Sequence, residues 1–116
     1  MNVQYMPGIQ SWAEGFKLIQ QATRRLEEIL GSSAGLVTVH WESMTDAKGR
    51  PRYRLTLRGF TAEVSTVFTP DELRNPLSME VGLYRLWGDM IQVRSDQQHE
   101  RVKALIGQFS GEQEGR

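Results

Sequence analysis

The chain has 116 residues, 39% of them hydrophobic and 24% charged, and 14 Lys and Arg balance 14 Asp and Glu. That is the size and composition of one ordinary globular domain, and the zero formal charge excludes a basic nucleic-acid arm or an acidic tail as the dominant feature. Without cysteine there is no disulfide framework, thiolate metal site or cysteine nucleophile. No apolar run reaches the ~18 residues of a membrane span. The first residues lack the basic start and apolar stretch of a secretion signal, so the cytoplasm is the expected compartment.

Residues 1–10, punctuated by Pro7-Gly8, read as a flexible arm ahead of a single domain over 11–109. Ser11 and Glu14 have the spacing of a reciprocal capping box. Trp12, Phe16, Ile19, Ala22, Leu26, Ile29 and Leu30 then recur at helical steps, which predicts an amphipathic helix from Ser11 to Leu30 closed by Gly31. Gly15 inside it costs about 1 kcal/mol relative to alanine. From Leu36 the period changes to two, as in a half-buried strand, with Val37, Val39 and Trp41 on the apolar side. A polar turn over 46–51 leads to a second strand with Tyr53, Leu55 and Leu57 on one face and Arg52, Arg54 and Arg58 on the other. A third strand runs from Ala62 to Phe68. Short connections between sequential strands predict an antiparallel meander.

Thr69-Pro70-Asp71-Glu72 is a strong helix start, with a capping hydroxyl, proline at the first position and acids at the positive dipole end. Pro76 ends that helix after about one turn. Met79, Leu83, Leu86, Trp87, Met90 and Ile91 follow at helical spacing, although Met79, Val81 and Leu83 also alternate as a fourth strand over 77–84 would. Ser95 with Gln98 offers another capping box before Val102, Leu105, Ile106 and Phe109, leaving open whether the last two helices are continuous. Residues 110–116 are polar and read as a frayed tail.

The expected fold is therefore α+β: a two-layer arrangement of a three-stranded antiparallel meander with helices packed on one face, in the order α-β-β-β-α-α. This order is similar in topology to the double-stranded RNA-binding domain. That family's lysine cluster at the start of the post-sheet helix falls here on the acidic Thr69-Pro70-Asp71-Glu72, so no residue carries over.

Signals for chemistry are sparse. There is no phosphate loop, dinucleotide fingerprint or nucleophile elbow. His40 and His99 lack metal-ligand spacing, so neither a metal nor a cofactor is expected. Arg52, Arg54 and Arg58, with His40, form a candidate anion or nucleic-acid surface. The plainer reading of that row is a solvated sheet face whose arginines meet Glu42 and Glu63 across the strands. The helical stripe of Met79, Trp87, Met90 and Ile91, with Phe109 beyond it, is a candidate partner surface. The plainer reading there is that the stripe covers the sheet. Met44, Phe60, Tyr5, Met6 and Ile9 add to an apolar surplus. The resulting expectation is a non-enzymatic protein-interaction or regulatory module that self-associates as a homodimer, with polyanion binding through the arginine row as the alternative.

Overall fold

The computed structural model describes residues 1–59 and 61–114, with the side chains of all but Gln10 and those beyond Ala104. Its elements are β1 (Asn2–Tyr5), α1 (Ala13–Leu30), β2 (Thr38–Thr45), β3 (Pro51–Arg58), β4 (Glu63–Phe68), α2 (Pro70–Arg74) and α3 (Pro76–Glu114). The fold is α+β, but the sheet has four strands in the order β1-β2-β3-β4 rather than three. The N-terminal residues expected to form a loose arm supply the extra strand. β1 runs parallel to β2, with Asn2 opposite Thr38 and Tyr5 opposite Trp41. Val3 and Tyr5 pack against the core, and Ile9 just beyond is 1% exposed. This apolar alternation is short, and Pro7-Gly8 masks it from a reading based on breakers.

The meander follows the expected alternation. Trp41 lies opposite Leu55, and Leu57 opposite Val64. Val39, Trp41, Tyr53, Leu55, Leu57 and Phe68 are buried, while Glu42, Arg54, Arg58 and Glu63 share the other face. Leu36 departs from the expected strand. It ends a 3-10 turn over Gly31–Leu36 and is 68% exposed. Both long helices cover the apolar face. The buried Trp41 Nε1 donates 2.9 Å to Thr23 Oγ1 of α1, and the Phe68 ring lies on Gly82 of α3. Arg25 of α1 ties the two helices together through its ion pair with Glu80.

The β2–β3 turn is closed by Asp46. Its Oδ1 accepts from the backbone N–H groups of Lys48 and Arg50, both at 2.9 Å, and Oδ2 pairs with the Arg50 side chain at 3.0 Å. Gly49 takes the positive φ of 76° that the turn requires. The Arg50 N–H above all holds the Asp46 carboxyl below the usual carboxylate range. A carboxyl whose pKa falls on folding stabilises the fold above its unfolded value, and that contribution is lost as pH falls through the folded value. Asp46→Asn is therefore expected to destabilise the protein near neutral pH. The gap to the parent should close below about pH 4, which urea unfolding at the two pH values checks. A gap that persists in acid would assign the loss to something other than the charge.

Thr69 and Glu72 form the reciprocal capping box, and Asn75 ends α2 before Pro76 as expected. The Ser11–Glu14 box does not form. The Ser11 hydroxyl instead donates 2.6 Å to the Gly8 carbonyl, α1 begins after Trp12, and Glu14 pairs with Arg74 at 3.1 Å. The Ser95–Gln98 box is absent too, because α3 runs unbroken through it. The fourth strand over 77–84 is excluded by the same helix.

Candidate functional site

Each arginine of the candidate anion surface is engaged by a carboxylate. Arg54 pairs with Glu42 at 2.7 Å, Arg58 with Glu63 at 3.0 Å and Arg52 with Asp46 at 3.1 Å. His40 lies on the same face with Nδ1 3.4 Å from Gln4 Oε1, and the neighbouring Glu42 carboxylate is engaged by Arg54. The row is thus laced by cross-strand ion pairs, the ordinary stabilisation of a wet sheet face. Among the described residues no three His, Asp or Glu side chains cluster as a metal site, and no helix is long and apolar enough to cross a membrane.

The candidate partner stripe separates on the structure. Met90 is fully buried, and Met79 and Trp87 pack against the core, so these three cover the sheet. Met90 is corrected from a partner contact to a core residue. Ile91 faces outward at 49% exposure. Phe109 lies beyond the described side chains, and Phe60 outside the described residues.

Ile91 belongs to a different series. Leu77, Val81, Tyr84, Ile91 and Val102 are all large apolar residues about half exposed or more. Their spacing is four, three, seven and eleven residues. With Gly88, Ser95 and Gln98 filling the intervals, the series alternates steps of four and three along the whole described helix. The inward series, the partly buried Met79 and the buried Leu83, Leu86 and Met90, starts two residues later, which is about 200° around an α-helix. α3 therefore carries apolar side chains on two opposite faces, one against its own sheet and one toward solvent. Sequence reading merged the two faces because 100° steps bring Trp87 and Ile91 close to either. Separating the residues into two 4-3 series recovers the outer one.

The outer series does not stop where the body stops. Gln97 makes two hydrogen bonds of 2.9 Å to Thr61, and from Gln98 to Ala104 every residue is exposed. At its other end the stripe runs into a groove of about 290 Å³ beside the edge strand β4, lined by Val67, Phe68, Leu77, Val81 and Arg85. Glu80 flanks the stripe, held by Arg25 on α1, and its hydrogen bonds raise the Arg25 pKa further above its ordinary value, with Glu28 contributing less.

Comparison with protein-family models, with curated proteins and with solved structures finds no match for this chain.

Proposed function

We propose that this protein is an interaction module whose partner is a second copy of itself, joined through the outward face of α3. The observation that carries this reading is the outward series from Leu77 to Val102, in which Leu77, Val81, Tyr84, Ile91 and Val102, with Gly88, Ser95 and Gln98 between them, fall at alternating four- and three-residue steps. That period of 3.5 residues keeps one face turned toward a neighbouring helix over many turns, and a flat or irregular partner has no use for it. A second α3 presents the same period. Two further features favour a helical partner. α3 continues past its last bonds to the body at Gln97, where a helix in water is marginal without packing. Ser95 and Gln98 put polar groups inside the seam, a usual device for fixing register and copy number.

Sedimentation at micromolar concentration is expected to give twice the 13.3 kDa chain mass. Val81→Glu combined with Ile91→Glu should return the monomer with its body still folded in urea unfolding, since both side chains are about half exposed in the single chain. A parent chain that stays monomeric at that concentration overturns the proposal.

A further inference from the structure

Resting on that self-association, we infer that the two α3 helices meet antiparallel, in a register that sets Leu77 opposite Val102 of the second copy. Shape selects it. In this register the seam layers are Leu77 with Val102, Val81 with Gln98, Tyr84 with Ser95 and Gly88 with Ile91, each made twice by the two-fold axis. The largest seam residue meets one of the smallest, and Ile91 enters the space over Gly88, where a Cβ finds nothing within 4 Å. Large-with-small layers interdigitate without voids. A parallel pair stacks Tyr84 on Tyr84 and Gly88 on Gly88, crowding one layer and leaving a hole in the next.

Charge agrees with shape. Residues that flank an antiparallel seam pair across it, which brings Glu80 to Arg101 of the second copy. Both hydrogen bonds that Arg25 gives to Glu80 fall on Oε1, which leaves Oε2 without a hydrogen bond among the described residues. The other flanking pairs are Ser78 with His99, Arg85 with Gln92 and Trp87 with Arg94, none of them between two carboxylates or two guanidiniums. A parallel pair gains Glu80 with Arg85 but sets Arg94 beside His99.

The chain has no cysteine, so single cysteines report orientation directly. Leu77→Cys and Val102→Cys, each carrying a different tag, are mixed and oxidised. Both positions are exposed, at 72% and 51%. They lie roughly 37 Å apart along one helix, whereas a disulfide needs Cα atoms within about 7 Å. The expected result is a covalent dimer holding both tags, formed at least tenfold more than the same-tag dimer of either variant alone. Efficient same-tag cross-linking of Leu77→Cys overturns the orientation and leaves self-association standing. A dimer by sedimentation with no cross-link in any combination overturns the register alone, and a monomer by sedimentation overturns the proposed function beneath it.

Discussion

Replacing Trp41 with alanine is expected to cost about 3–5 kcal/mol, the range for truncating a large aromatic in a packed core. Trp41 is 0% exposed, in the middle of β2. Its ring lies 6.1 Å from that of Phe68, centroid to centroid. Its indole N–H donates to Thr23 Oγ1, which in turn donates 2.7 Å to the Ile19 carbonyl. The loss thus removes contacts with β4 and α1 at once and leaves a cavity between sheet and helix. Against a typical total of about 5–15 kcal/mol it is a large fraction of stability. Trp41→Phe keeps an aromatic ring in the site and loses the N–H and part of the indole's volume, so it should cost clearly less than Trp41→Ala. Urea unfolding of the two variants checks the order, and a loss below about 1 kcal/mol for Trp41→Ala would contradict a core placed here.

The second large effect concerns a glycine that helix propensity disfavours. Gly15 is buried in the first turn of α1, where alanine is intrinsically better by about 1 kcal/mol. A Cβ built there meets Trp12 Cε3 at 1.5 Å and two more ring atoms within 2.1 Å. The Trp12 ring lies flat across the helix start, stacked on Tyr53 at 5.1 Å, with the Arg74 guanidinium 5.3 Å over its face. Burial in this cluster raises the Tyr53 pKa, with Arg74 pulling the other way. Gly15→Ala must swing the indole out, losing its stacking and part of its burial. Overpacking of this kind costs about 1–3 kcal/mol, which outweighs the propensity gain. In a Trp12→Ala background the obstacle is gone, and Gly15→Ala should become stabilising. Thermal melts of the four proteins of this cycle read the sign change, and the same sign in both backgrounds would mean the ring is not what requires glycine.

Long-period patterns were legible in the sequence. The amphipathic α1, the alternation from Val37 to Phe68 and the cap at Thr69 each repeat one physical preference several times, so no single residue decides them. Isolated signals fared worse. Ser11 and Glu14 have the right spacing, yet the Ser11 hydroxyl is spent on Gly8 and the Glu14 carboxylate on Arg74. Gly15 and Gly82 are poor helix formers, but each accepts an aromatic ring, Gly15 that of Trp12 three residues earlier and Gly82 that of Phe68 on β4, a pairing that no local pattern carries. The parallel pairing of Asn2–Tyr5 with β2 was invisible for the same reason, since four residues are too few for a period to stand out. The stripe of Met79, Trp87, Met90 and Ile91 is one face in the sequence pattern, whereas in the structure Ile91 lies outward and the other three cover the sheet.

The parallel edge strand also bears on how the chain assembles. Asn2 and its partner Thr38 are separated by the whole of α1. The meander, by contrast, closes through short local turns. Contacts that span long loops are entropically slow to form, so β2, β3 and β4 are positioned to associate before β1 joins them. β1, made before the strand it pairs with, is therefore among the last to find its place, and the sheet is completed at its parallel edge.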